Sequence, residues 1–162
     1  MIEFKEEQRF NQAWVWVIAI VPVIMVIAEF SIIFTQKDKV ETSDLITMAI
    51  VLLVLLLTLF WLKKMRLVTS ININEICFHY KALMRKPKVI DWNDIISTEV
   101  VKYDPLMEYG GWGIKYSFKR GWCYNVAGDY GLRIKLKNGK SILLGTQQPD
   151  ELKRFLTDNN LK

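Results

Sequence analysis

The chain has 162 residues, 51% of them hydrophobic and 24% charged, with a formal net charge of +5. Two cysteines and one histidine are too few for a disulfide framework or a CxxC metal site, and HExxH, GxSxG and P-loop motifs are absent. The charge is uneven, because residues 63–162 hold 18 Lys or Arg against 10 Asp or Glu, whereas residues 1–62 hold 4 against 7.

The first residues carry Glu3, Glu6 and Glu7 against Lys5 and Arg9, a poor basic leader for a cleaved signal, and no A-x-A-like site follows the apolar run behind them. That run, residues 14–34, and a second one, residues 45–62, are almost uninterrupted. At a helical rise of about 1.5 Å per residue they reach about 31 Å and about 27 Å, close to the hydrocarbon thickness of a bilayer. Residues 1–66 are therefore expected to form an N-terminal segment and a transmembrane hairpin, and residues 67–162 a separate domain. Trp14 and Trp16 open the first span and Trp61 closes the second, at the headgroup level that indole rings favour. Lys5, Arg9, Lys63, Lys64 and Arg66 flank the spans, while the loop from Thr35 to Asp44 holds only Lys37 and Lys39. The positive-inside rule then predicts a multi-pass cell-membrane protein with both termini cytoplasmic.

Within the spans, Pro22 removes a backbone hydrogen bond and can kink the first helix. Glu29 is a carboxylate in an apolar run, about 8 Å along the axis from Phe34. It can reach interfacial water, hydrogen-bond to Thr47 on the second span, or serve an ion or proton pathway.

After Met65 the pattern changes to alternation, the signature of half-buried strands. Strands are expected over Ser70–Asn74, Ile76–Tyr80, Val89–Trp92, Ile95–Tyr103, Trp112–Phe118, Trp122–Val126, Tyr130–Lys137 and Ser141–Gly145. Between the last two, a three-residue Lys137–Gly139 loop with Gly139 left-handed pairs Ile134 with Ile142 and Leu132 with Leu144. A two-residue Asn138-Gly139 turn would put Ile142 and Leu144 on the Lys135 face, so burial selects the longer loop. Pro149, Asp150 and Glu151 suit a helix start, and Leu152, Phe155 and Leu156 line one face of it to about Thr157.

The expected fold is thus α+β: a two-helix membrane hairpin followed by an antiparallel β-sandwich or barrel with a C-terminal α-helix. Short strands closed by one amphipathic helix follow the order of pleckstrin-homology (PH)-like domains. More specifically, Glu108-Tyr109-Gly110-Gly111-Trp112-Gly113-Ile114, Tyr124-Asn125-Val126-Ala127-Gly128 and Gly145-Thr146-Gln147-Gln148-Pro149-Asp150-Glu151-Leu152 resemble a family of uncharacterised bacterial two-span membrane proteins with a PH-like cytoplasmic domain. The resemblance implies that fold and no particular activity.

Candidate sites are few. Lys81, Arg85, Lys86 and Lys88 form the densest basic patch, suited either to anionic lipid or to a solvated loop. Gly110, Gly111, Trp112 and Gly113 offer a ligand or partner groove, or simply the backbone freedom a strand start needs. Cys77 and His79 lack a third metal ligand. Asp91 with Asp94 and Asp104 with Glu108 fit turn capping better than acid–base catalysis. Trp112, Trp122, Tyr109, Tyr116 and Tyr124 fit core packing or a peptide groove better than nucleobase stacking. The expectation is a non-enzymatic, membrane-anchored interaction module, without cofactor or metal and without nucleic acid as partner, that binds a protein or lipid headgroups. The alternatives are a transport or envelope-complex subunit that uses Glu29, and an enzyme with an unfamiliar site around Gly110–Gly113 and Asp129.

Overall fold

The structure, a computed structural model, describes residues 3–36 and 41–161. It divides into a helical unit, Asn11–Lys64, and a β unit made of Met1–Phe10 together with Met65–Lys162.

In the helical unit, α1 (Ala13–Gln36) and α2 (Thr42–Lys64) each carry a 23-residue stretch long and apolar enough to cross a membrane. They extend slightly beyond the expected spans. Pro22 lies inside α1, which continues through it as one helix. No residue of α2 is buried, and its leucines and valines face outward almost all round. Lys37 and Lys39, on which part of the loop argument rests, lie outside the described residues.

The β unit begins with a strand the sequence pattern does not announce. β1 (Glu3–Arg9) pairs antiparallel with β2 (Arg66–Asn72), so Arg9 stands opposite Arg66 and Glu3 opposite Asn72. The N-terminal segment thus belongs to the β unit, although more than fifty residues of helical hairpin separate it from its partner strand. β3 (Glu75–Lys81) and β4 (Lys88–Asp91) complete a four-stranded sheet in the order β1-β2-β3-β4.

The second sheet has five strands: β5 (Ile95–Lys102), β6 (Gly113–Ser117), β7 (Gly121–Asn125), β8 (Tyr130–Leu136) and β9 (Ser141–Thr146). Their order is β5-β8-β9-β7-β6. This corrects the all-antiparallel expectation, because β7 and β9 run parallel. The residues after β7 carry the chain past that edge to pair β8 with β5, and β9 then returns into the slot beside β7. The two sheets remain separate, so the barrel alternative is not realised among the described residues. A short helix, α3 (Pro105–Tyr109), follows β5, and α4 (Pro149–Asp158) closes the chain.

Alternation decides which side chains meet. Phe4, Leu67, Ile71, Ile76, Phe78 and Tyr80 from the first sheet are buried with Ile134, Ile142 and Leu144 from the second and Leu152 and Phe155 from α4. Fully burying one such side chain contributes about 1.5–3 kcal/mol. On the other face of the second sheet, Tyr103, Tyr109, Cys123 and Leu143 form a smaller core. The β8–β9 register is the one burial selects: Leu132 faces Leu144, Ile134 faces Ile142, and Gly139 has φ +78°.

Candidate functional site

The basic loop starts from a defined place in the first sheet. Lys81, the last residue of β3, stands opposite Arg66, the first residue of β2. The loop therefore leaves the sheet at the edge where the chain enters the β unit after α2. Leu83 and Met84 both donate backbone N–H groups to the Tyr80 carbonyl, at 3.2 and 2.9 Å, which turns the chain tightly. His79 Nε2 pairs with the Met84 carbonyl oxygen at 3.0 Å, so the single histidine ties down the loop. Among the described residues no group of three or more His, Cys, Asp or Glu could hold a metal ion.

The four basic residues do not share one environment. Lys81 is half-buried, whereas Arg85 and Lys86 are exposed. Lys88 donates from Nζ to the Tyr124 hydroxyl at 2.6 Å, and its ammonium stands 5.1 Å from the Tyr124 ring centroid and 5.7 Å from that of Trp122. An ammonium over aromatic faces is attracted by their quadrupole. Lys88 thereby joins the basic loop to a ladder of rings. Phe78 lies 4.8 Å from Tyr124, Tyr124 stacks 6.3 Å from Trp122, Trp122 lies 5.2 Å from Tyr116, and Tyr116 lies 5.5 Å from Phe118.

That ladder has a simple origin. Tyr116 pairs with Trp122, Trp122 with Ile142 and Ile142 with Ile134, so all lie on the face of the second sheet that carries the core. Tyr124 is buried there, yet Tyr116 and Trp122 are exposed. β4 is only four residues long, and the core-bearing face continues uncovered beyond Tyr124. A groove of about 250 Å³ opens there, lined by Tyr116, Phe118, Lys119, Trp122 and Lys140 among others. Gly121 is among its lining residues with φ +79°, and an added Cβ would clash with the Ser141 carbonyl oxygen.

The other sequence candidates have local structural roles. Gly110 caps α3 in the left-handed region, and the Gly113 N–H donates to Asn125 Oδ1 at 2.8 Å as β6 begins. Trp112 donates its indole N–H to the Gly128 carbonyl at 3.3 Å. Asp104 caps α3 by accepting from the Leu106 and Met107 N–H groups, and Glu108 accepts from the Asp104 N–H while pairing with Arg120 at 2.8 Å. Asp91 accepts from the Asn93 N–H. Turn and helix capping account for Asp91, Asp104 and Glu108. Burial pushes the Cys123 thiol up to about 12, which leaves it a packed, unreactive group.

In the helical unit, Glu29 is exposed and lines a groove of about 240 Å³ between α1 and α2 with Asp44, Thr47 and Met48. Thr47 does not donate to it. Its only hydroxyl proton goes to the Ser43 carbonyl at 2.9 Å, a bond that a helical threonine makes more readily than one across to a neighbouring helix.

Two features escape the sequence pattern. Glu6 and Gln8 point inward from β1, and Glu6 is only 6% exposed. Glu6 accepts from the Thr146 hydroxyl and the Gln147 N–H, each at 2.7 Å, and Gln8 donates to the Gly145 carbonyl at 2.6 Å. These bonds clasp the N-terminal strand to the end of β9. Burial outweighs them and raises the Glu6 carboxyl above its ordinary range. The second feature is Phe118, whose exposure no alternation rule signals. No family model matches the chain, and the search of curated proteins finds no match.

Proposed function

We propose that the protein is a non-enzymatic, membrane-anchored interaction module of the cell membrane, whose basic loop engages anionic lipid headgroups. In this reading α1 and α2 cross the bilayer as a hairpin and both termini are cytoplasmic. Pairing of β1 with β2 supports an even number of crossings, because residues 3–9 and 66–72 must then share one side. Lys5, Arg9, Lys63, Lys64 and Arg66 at the helix ends favour the cytoplasm for that side. Two packed sheets closed by α4 support the PH-like reading of the β unit.

One observation carries the lipid reading: the basic loop starts opposite Arg66, at the edge where the chain enters from α2. Anionic lipid attracts each nearby cation by about 1 kcal/mol within a Debye length. Lys81, Arg85 and Lys86 together would contribute about 3 kcal/mol by that measure. Lys88 is spared in the test because it also holds Tyr124.

The test places an environment-sensitive fluorophore on Leu83→Cys in the full chain. Cys77→Ser removes the half-buried thiol, and Cys123 is fully buried. In bilayer discs containing phosphatidylserine the probe should report a less polar setting than in neutral phosphatidylcholine. That difference should vanish in about 1 M salt, where the Debye length is about 3 Å, and in the K81Q/R85Q/K86Q variant. Identical spectra in both lipids would overturn the reading.

A further inference from the structure

Phe118 is 97% exposed, the highest value among the described large apolar side chains of the β unit. It occupies the tip of the β6–β7 hairpin, where Ser117 pairs with Gly121 and the Arg120 N–H donates back to the Ser117 carbonyl at 3.2 Å. The tip is not a loose loop. Gly121 fits tightly against the Ser141 backbone, and Arg120 is held by Glu108 at 2.8 Å. Behind Phe118, the rings of Tyr116, Trp122 and Tyr124 lead without a gap to Phe78, which is fully buried. An exposed phenylalanine is thus presented by a rigid hairpin and braced against the core.

Its surroundings indicate what covers it. Lys119 follows it in the chain, Lys140 lines the same groove, and Lys88 stands over Trp122. Cations with interleaved Trp, Tyr and Phe match the acyl–headgroup boundary, where rings enter and ammonium groups reach phosphate. The ladder is also continuous, through Lys88, with the basic loop. Within the β unit, Tyr80, three positions from the loop's turn at Leu83, donates its hydroxyl at 3.3 Å to the carbonyl of Asn125, the residue of β7 farthest from the tip.

We propose that the β6–β7 hairpin is a membrane-interface wedge: Phe118, backed by Tyr116 and Trp122, enters the acyl–headgroup boundary of an anionic bilayer while Lys119 and Lys140 engage lipid phosphates. This deepens the lipid reading of the basic loop and rests on it. It adds apolar insertion, which salt does not screen, to a charge attraction that salt does screen.

The full chain with Cys77→Ser and Lys119→Cys, labelled at position 119, is placed in discs of phosphatidylcholine with phosphatidylserine. A fraction of the lipid carries a nitroxide near the top of the acyl chain. The label should be quenched at least twofold more by this lipid than by aqueous iodide, in low and high salt alike. Phe118→Ser should abolish the lipid quenching while leaving the Leu83→Cys probe unchanged. A label at 119 open to iodide and untouched by nitroxide lipid, with the 83 probe still responding to phosphatidylserine, would overturn the wedge and leave the basic-loop reading standing. A silent 83 probe with position 119 quenched would overturn the loop reading and leave insertion alone. Shielding of position 119 from both quenchers would overturn the wedge in favour of a protein covering the tip.

Discussion

The helical unit and the β unit solve opposite problems with similar residues. Along α2, Leu53, Val54, Leu56 and Leu57 all point outward and none of its residues is buried. In the β unit most of the described leucines and isoleucines are buried, and charged or polar residues occupy most outward positions. Apolar surface removed from water stabilises by about 25 cal/mol per Å², so apolar-out helices gain by being covered by something other than water. The contrast teaches that the two units present apolar side chains in opposite directions, which in the reading proposed above suits each unit to its own solvent. Glu29 is the exception in the helices. Phe118 is the most exposed of the described large apolar side chains in the β unit.

The contrast breaks most completely if the β unit loses its first strand. β1 supplies Phe4, Glu6 and Gln8 to the interior, so deleting residues 1–10 uncovers β2, removes the Gln8 donor from the buried Gly145 carbonyl and removes the Glu6 acceptor from the Thr146 hydroxyl and the Gln147 N–H. The β unit of that variant should fail to fold, seen as loss of its cooperative unfolding transition in detergent. The milder Phe4→Ala should cost about 3–5 kcal/mol. An unchanged transition in either case would show that β1 is dispensable.

The two hairpins of the second sheet separate backbone strain from steric contact. Gly139 has φ +78° with nothing near its missing Cβ, so Gly139→Ala should cost about 1–2 kcal/mol from the left-handed conformation alone. Gly121 has a similar φ, but its new methyl would meet the Ser141 carbonyl oxygen. Gly121→Ala should therefore unfold at clearly lower denaturant than Gly139→Ala, and equal midpoints would count against the described packing.

Much of this fold was legible and some was not, for identifiable reasons. The β8–β9 register followed from alternation, since a one-residue slip would expose Ile142 and Leu144. β1 was hidden because two of its three inward positions are Glu6 and Gln8, which present no apolar alternation. α3 has five residues, too few for a helical period, and the parallel β7–β9 pair leaves no mark in local pattern. At the site, the cluster of Lys81, Arg85, Lys86 and Lys88 was visible as charge. The role of Lys88 was not, because its partner Tyr124 lies 36 positions away.

The buried clasp gives a smaller, pH-dependent effect. Burial raises the folded-state pKa of Glu6 above the ordinary 4.5, so between those two values the folded protein binds more protons than the unfolded chain. Stability from this group is fully present below about pH 4.5 and is lost as pH rises through the higher folded value. Glu6→Gln keeps an acceptor for the Gln147 N–H and removes the charge. Its melting temperature should exceed that of the original chain at pH 7, and the advantage should shrink toward pH 4. Glu7 slopes the other way: hydrogen bonds from Arg9 and Arg66 lower its pKa, and that contribution fades as pH falls. A Glu6→Gln advantage that grows on acidification would contradict the assignment.

The smallest effect on stability belongs to Phe118. A side chain 97% exposed contributes little to folding, so Phe118→Ser should leave the unfolding transition in detergent within about 0.5 kcal/mol. A larger loss would mean that the tip packs within the protein rather than against a bilayer.

The central claim is that the apolar helices form a membrane hairpin with β1 and the rest of the β unit on one side. Exposed positions Lys5, Glu41 and Asn74 sample the first strand, the start of α2 and the β2–β3 turn. Each is replaced by cysteine in the Cys77→Ser chain and treated with a membrane-impermeant maleimide in sealed vesicles of known orientation. Positions 5 and 74 should react together from the cytoplasmic face, and position 41 only from the opposite face. Reaction of 41 and 74 from the same face, or of 5 and 74 from different faces, would contradict the hairpin.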